Sequence, residues 1–270
     1  MKLLVIGAGS IGARHIANAQ SLGHLIVAAD PFARPLPGVV WYTDWRRALE
    51  DHRDAGGVVI ASPTEAHYEQ AAECLYAYRL PGVYVEKPLC LPSQLADSAT
   101  LVRAVTGSRS ACGFQYRFHP QMRRIKRLAA RYGLLHFYGF DDLLARYGPN
   151  VDGVLVAHPL DTALRLLGPA QNVFLKSDGL HLSGYILHPA GRVSTYNFRI
   201  DRGPRESWVD SGRAVVELAP DAGMYRACLG AWLAWLAGGA RDARLSSLSD
   251  GLAVSEVLAK VDGQREKAQA

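Results

Sequence analysis

The stretch "MKLLVIGAGSIG", residues 1–12, sets how the chain is read: a short apolar run from Leu3 to Ile6 leads into Gly7, Gly9 and Gly12, spaced as G-x-G-x-x-G. Ile11, Ile16 and Ala19 then recur at helical spacing up to Gly23, so the pattern predicts a strand, a tight turn and a helix. Glycine at these positions permits the tight turn, close approach of a pyrophosphate, and close packing of helix on sheet. The helix start, Ser10 and Ile11, presents amide donors without intrahelical partners, which suits phosphate. Taken alone the motif is weak evidence. Asp30 strengthens it, because it stands at the end of the next strand, "HLIVAAD", where a carboxylate can hydrogen-bond ribose hydroxyls. A carboxylate there also repels a 2′-phosphate and favours NAD, with NADP as the second candidate because Arg34 lies close by.

Outward from this turn the pattern repeats. "DWRRALED" predicts a short helix, "GGVVIASPT" a strand and turn, "EAHYEQAAECLYAY" a helix, "GVYVEKP" a strand, "SQLADSATLVRAV" a helix and "SACGFQYR" a strand. Short apolar runs alternating with helices predict a doubly wound parallel sheet in an α/β domain over residues 1–115. From about Leu135 the pattern changes. After the segment around "VAHPLDTALRLLG", the runs "NVFLKSD", "LHLSGYILHP", "RVSTYNFRI", "ESWVD" and "RAVVEL" follow one another through short turns, which predicts an antiparallel sheet. Two helices, "YRACLGAWLAWLAGG" and "SDGLAVSEVLAKV", close a second, α+β domain assigned to residues 116–270. Trp232 and Trp235, with Leu229, Leu233 and Leu236, read as a packing face.

Composition narrows the classes. With 49% hydrophobic and 20% charged residues, both signs interspersed, the 270-residue chain has the makeup of a folded protein with a sizeable core rather than a disordered or fibrous one. The excess of 30 Lys and Arg over 25 Asp and Glu is scattered, so it reads as solvated surface, with no nucleic acid partner expected. Cys74, Cys90, Cys112 and Cys228 show neither CxxC nor metal-site spacing; they read as reduced thiols, with no metal expected. No apolar run reaches the length of a membrane span, and no secretory leader pattern opens the sequence, so the expected compartment is the cytoplasm.

Two further strand ends carry candidate chemistry. "ASPTEAH", Ala61 to His67, follows the strand "VVI"; Ser62, Pro63, Thr64 and His67 read either as a cofactor wall or as a turn with Ser62 or Thr64 capping the next helix. "VEKP", Val85 to Pro88, places Glu86 and Lys87 at another strand end. Desolvation of a lysine there lowers its pKa toward the range useful for proton transfer, while the plainer alternative is a surface lysine before a proline turn.

"GAGSIGARH", "ASPTEAH", "EKP" and "GFQYRFHP", in that order, resemble the glucose-fructose oxidoreductase / inositol dehydrogenase / MocA family; "AHPLDTALRLLG" and the C-terminal helices extend the likeness to about residue 261. The resemblance implies a Rossmann domain followed by a domain whose open, largely antiparallel sheet often forms a homo-oligomer interface. It also implies hydride transfer between a nicotinamide cofactor and a hydroxyl-bearing carbon of a sugar, cyclitol or nucleotide-sugar. Lys87 matches the family lysine used in proton transfer or substrate orientation, and the peptide before Pro88 is a candidate for cis geometry.

Independent of the family, removing a hydride from C–H requires the adjoining O–H proton to leave, so a base must reach that hydroxyl; Lys87 and His158 are the best candidates. His158 has the alternative of capping or packing near a helix start. Val154 stands where many relatives carry an acid four residues before this histidine, and Asp152 is out of step, which resembles an amino-sugar or surface-sugar subset using a Lys/His pair. Tyr116, Arg117 and Asp161 are candidates for substrate binding. Arg117 has the fork that suits a carboxylate or phosphate, and Asp161 has the alternative of an exposed first-turn charge. His119 is a weaker candidate, and Gln115 replaces a common Asn. The replaced acid keeps two other classes open: a non-catalytic NAD-dependent sensor or regulator, and an imine- or biliverdin-type reductase.

Overall fold

The computed structural model describes residues 1–141, 152–177, 180–200, 206–218 and 221–269, and it groups into two compact units. The first holds Met1–Gln115 together with Ala222–Leu252; the second holds Tyr116–Asp221 with Ala253–Ala270.

In the first unit, β1 (Lys2–Ile6), α1 (Ser10–Ser21), β2 (Leu25–Ala29), β3 (Val39–Tyr42), α2 (Trp45–Asp51), β4 (Val58–Ile60), α3 (Thr64–Ala72), β5 (Val83–Val85), α4 (Leu95–Ala104) and β6 (Ala111–Cys112) alternate as the sequence predicts. The exception is β3, a half-exposed edge strand that short length and weak alternation concealed. All pairings are parallel, in the order β3-β2-β1-β4-β5-β6. Leu3–Ile6 of β1, β4 (Val-Val-Ile) and β5 (Val-Tyr-Val) are buried apolar runs, as a sheet covered on both faces demands.

Register is what builds the site. Tyr42, Ala29, Ile6, Ile60, Val85 and Cys112 pair in one row across the sheet. The next residue of each strand still donates into the row: Gly7 N–H to Ala29 O (2.9 Å), Ala61 to Ile6 (2.8 Å), Glu86 to Ile60 (2.9 Å) and Gly113 to Val85 (2.8 Å). Strand order reverses between β2 and β4 around β1, so the glycine turn lies at the switch point, where open α/β sheets bind ligands. Gly7 has φ +87°, and a Cβ there would stand 2.5 Å from Ser62 N. A Cβ on Gly12 would stand 2.0 Å from Gly7 O.

The sequence reading assigned residues 116–270 to one second domain, but Ala222–Leu252 groups with the first unit. The packing explains the difference. Trp232, fully buried, sets its ring 5.5 Å from that of Tyr84 and donates its indole N–H to Arg109 O at 2.8 Å. Arg14 of α1 lies 4.4 Å over the Tyr225 ring.

In the second unit, α5 (Met122–Tyr132), β7 (Leu134–Asp141), α6 (Asp152–Leu167), β8 (Asn172–Ser177), β9 (His181–His188), β10 (Arg192–Ile200), β11 (Glu206–Asp210) and β12 (Val215–Glu217) form a six-stranded sheet in the order β12-β11-β7-β10-β9-β8. Helix α7 (Ala222–Leu236) belongs to the first unit, and α8 (Leu248–Gln269) starts there. Every pairing in the second sheet is antiparallel except β7 with β10. The sequence reading missed both α5 and β7. Ile125 and Ala129 on an otherwise basic α5, and buried Leu135 and Phe137 alternating with half-buried neighbours, are the signals that mark them. Helix α6 packs on β7, β9 and β10. The four cysteines are buried, and among the described residues no helix is long and apolar enough to cross a membrane.

The two glycines separate stability from ligand access. Gly12→Ala must push backbone against backbone and is expected to lower stability by about 1–3 kcal/mol in urea unfolding, the usual cost of overpacking. Gly9→Ala, whose Cβ would meet nothing within 4 Å, is expected to leave the urea midpoint essentially unchanged.

Candidate active site

The start of α1 carries no side-chain cap: Gly9, in the N-cap position, has extended backbone geometry, and the first amides of the helix are left to a ligand. A side chain at Gly9 would project into open space above this turn. Glycine therefore leaves there a cradle that an added Cβ would enter, as a pyrophosphate lying on a helix N-terminus requires.

Asp30 pins this turn to the end of β2. Its Oδ2 accepts the Ala8 N–H at 2.7 Å, and its Oδ1 accepts those of Phe32 and Ala33, both at 2.8 Å. Burial raises the Asp30 pKa, but the three amide donors together outweigh it, so the carboxyl titrates below its ordinary value. A carboxylate offers about four lone-pair positions. Oδ2, with one backbone donor, keeps acceptor capacity for a hydroxyl.

At the end of β4, neither Ser62 nor Thr64 caps α3, contrary to the capping alternative: the Ser62 hydroxyl donates to Gln70 Oε1 at 2.6 Å, and α3 starts behind Pro63 with no side-chain cap. His67 is buried with both ring nitrogens on carbonyls, Nδ1 2.9 Å from Pro88 O and Nε2 2.8 Å from Ser62 O. A neutral imidazole carries one N–H and can donate to only one of them. Burial lowers its pKa against the opposing pull of the two carbonyls. The ring thus ties the turn after β4 to the turn after β5, where the Lys87–Pro88 bond is cis.

Glu86 turns inward at the end of β5. Its Oε1 lies 2.8 Å from His15 Nε2 and accepts the Gln115 amide at 2.6 Å, while Oε2 accepts the Lys87 N–H at 3.3 Å. Burying a carboxylate is expensive unless it is hydrogen-bonded, and these three contacts meet that demand. His15 was missed by the sequence reading. The available signal was a histidine within the buried stripe of Gly12, Ile16 and Ala19 on α1.

In the second unit, His158 lies well inside α6 rather than at its start, which removes the capping alternative. It is 4% exposed, and its ring stacks on that of Tyr116 with centroids 4.5 Å apart and planes 5° from parallel. Thr162 Oγ1 donates to His158 O at 2.9 Å. Asp161 is 2% exposed, so it is not a solvent-facing first-turn charge. It accepts from Arg117 in a two-pronged pair, with Nε–Oδ2 at 2.8 Å and Nη2 closing on Oδ1. His119 Nδ1 accepts the Gln121 N–H at 3.1 Å, and its ring lies 6.0 Å from Tyr116. The side chains of Asp152 and Val154 lie outside the described ones, although both residues belong to α6.

Comparison with known proteins follows from this geometry. Residues 1–116 match the model of the Gfo/Idh/MocA oxidoreductase family, described as having an NAD-binding Rossmann fold. An uncharacterized oxidoreductase, YrbE of Bacillus subtilis, is 26% identical over 133 residues, covering 46% of this chain and 38% of that protein. Inositol 2-dehydrogenase of Mycolicibacterium gilvum is 30% identical over 141 residues, covering 47% of this chain and 39% of its own. The matched stretch thus spans about two-fifths of the length of these relatives. Among solved structures, the WlbA (WbpB) dehydrogenase of Thermus thermophilus, crystallised with NAD and UDP-GlcNAcA, superposes with a TM-score of 0.78 at 22% identity over 96% of this chain and 94% of that one, which establishes a shared fold. The glycine turn at the switch point, the uncapped α1 and the acid at the end of β2 all lie inside the stretch, residues 1–116, that matches the model of the Gfo/Idh/MocA oxidoreductase family and its NAD-binding Rossmann fold.

Proposed function

We propose that the protein is an NAD-dependent oxidoreductase that transfers hydride between the cofactor and a hydroxyl- or keto-bearing carbon of a sugar, polyol or nucleotide-sugar. The observation that carries this reading is the level row of strand ends, which sets the glycine turn, Asp30, the "ASPT" turn and Glu86–Lys87 along one rim of a parallel sheet. The substrate class draws support from the relatives, one an inositol 2-dehydrogenase and another crystallised with a nucleotide-sugar.

Backbone amides of Gly9, Ser10, Ile11 and Gly12 hold the pyrophosphate, with Gly7 keeping the turn tight. Asp30, kept ionised by Ala8, Phe32 and Ala33, takes a ribose hydroxyl and disfavours a 2′-phosphate. NAD, when bound, supplies the nicotinamide that accepts or returns the hydride. Lys87 and His158 carry the proton that must leave the substrate hydroxyl as the C–H bond is broken, and they return it in the reverse direction.

Turnover followed by nicotinamide absorbance across a panel of sugars, polyols and nucleotide-sugars tests the reading. Lys87→Met is expected to lower kcat on the order of 10²–10⁴-fold, the range for a lost general acid–base group, while calorimetry shows unchanged NAD affinity. Full turnover with normal NAD binding in that variant would remove Lys87 from the chemistry.

Asp30 gives a second test. Its folded pKa lies below the unfolded carboxylate value of about 3.9, so its stabilisation is complete above that value and is lost as pH falls through the lower folded one. Asp30→Asn is expected to weaken NAD binding and to flatten the fall of the urea midpoint on acidification below about pH 4. An unchanged acid limb would mean that the amide contacts of Asp30 do not favour its charged form.

A further inference from the structure

Three arrangements stand out beyond the strand-end row. Helix α5 exposes Arg123, Arg124, Lys126, Arg127 and Arg131 on one face, but nothing in the structure says what would cover it. A buried chain in the second sheet runs from His188 Nε2 to Ser194 Oγ (2.8 Å) and on to the Tyr196 hydroxyl (2.9 Å), but all three residues are sealed from solvent. The third, around His158, carries an inference.

His158 and Asp161 are three residues apart on α6 and so lie on one face of the helix. Tyr116 and Arg117 are consecutive in the single turn Gln115–Phe118. The two segments meet twice, side by side: ring on ring between Tyr116 and His158, and guanidinium on carboxylate between Arg117 and Asp161. A nearly parallel stack alone allows rings to slide. A two-pronged ion pair one residue along fixes both the separation and the twist of the segments, because the planar guanidinium fork accepts a carboxylate in a narrow range of orientations. Both pairs are buried, with Tyr116 3%, Arg117 6%, His158 4% and Asp161 2% exposed, so the geometry is held by packing as well.

From these contacts we infer that Tyr116, Arg117 and Asp161 are positioning residues that hold the His158 imidazole in one plane, with the ion pair acting as the clamp and the tyrosine ring as the plate. The inference rests on the proposed role of His158 in proton transfer. A base must keep its lone pair within hydrogen-bond reach of the substrate hydroxyl, and small misplacements of such a group are costly in rate. In this arrangement Arg117 serves as an internal anchor for Asp161, and the phenol of Tyr116 acts through its ring face rather than its hydroxyl.

The test separates the clamp from the chemistry. In the wild-type protein the ring protons of His158, assigned by comparison with His158→Gln, are expected to resonate upfield because they lie over the Tyr116 ring. Tyr116→Phe retains the ring and is expected to retain the shift. Tyr116→Leu is expected to lose the shift and lower kcat on the order of 100-fold with KM little changed, as for a misplaced catalytic group. Removing one partner of a buried ion pair is strongly destabilising, so the clamp is better removed whole, as Arg117→Met with Asp161→Leu. That double variant, confirmed folded by its urea transition, is expected to lose the upfield shift although Tyr116 and His158 are both intact.

Retention of the shift in the double variant, or loss of the shift in Tyr116→Phe equal to that in Tyr116→Leu, overturns the inference. A rise in KM with kcat preserved would likewise overturn it and make these residues substrate contacts. If the His158 shift responds as expected while His158→Gln retains full turnover, the clamp stands and the proposed catalytic role of His158 falls.

Discussion

The constraint on which the first unit depends is the level row of main-chain hydrogen bonds at the C-terminal ends of its strands. Because Ala29, Ile6, Ile60 and Val85 pair in register, the residue after each of them leaves the sheet at the same height. Those residues are Asp30, Gly7, Ala61 and Glu86. A slip by one residue in any strand would turn its buried side chains to the opposite face and withdraw its contribution to the rim. The buried apolar runs of β1, β4 and β5 lie behind these strand ends, so the hydrophobic core and the candidate site share one arrangement.

The polar groups behind the rim serve mainly one another. Asp30 collects three backbone amides, His67 bridges two turns, and Glu86 gathers His15, Gln115 and the main chain of Lys87. Each is a buried or half-buried group whose removal from water is offset by defined partners. This gives the rim its rigidity. It also means that a residue type suited to a ligand can be occupied in holding the turn that a ligand meets. The second unit repeats the theme, with Arg117 and Asp161 joined to each other.

Much of this architecture was legible in the chain. Strand, turn and helix around Gly7, Gly9 and Gly12 follow from hydrophobic period and glycine spacing, and five of the six parallel strands were marked by apolar runs between helical segments. Edge strand β3, being only half buried, offered little pattern to read. Strand β7 escaped for a different reason: its partner β10 is parallel to it and distant in sequence, so no hairpin turn advertised the pairing. The assignment of α7 to the first unit was equally hidden, since it rests on Trp232 meeting Tyr84 and Arg109 far away along the chain.

The sequence by itself determined the parallel sheet, its glycine turn and the list of chemically capable side chains, because period, glycine geometry and functional-group chemistry are local properties. Only the tertiary structure decided what those side chains are bonded to. Glu86 faces inward to buried His15, His67 is held between the carbonyls of Ser62 and Pro88, Asp161 is neutralised by Arg117, and His158 is laid flat on Tyr116. These outcomes depend on which strand ends and turns are brought within hydrogen-bonding distance, and that distance is fixed by register and packing between segments that the chain itself keeps far apart.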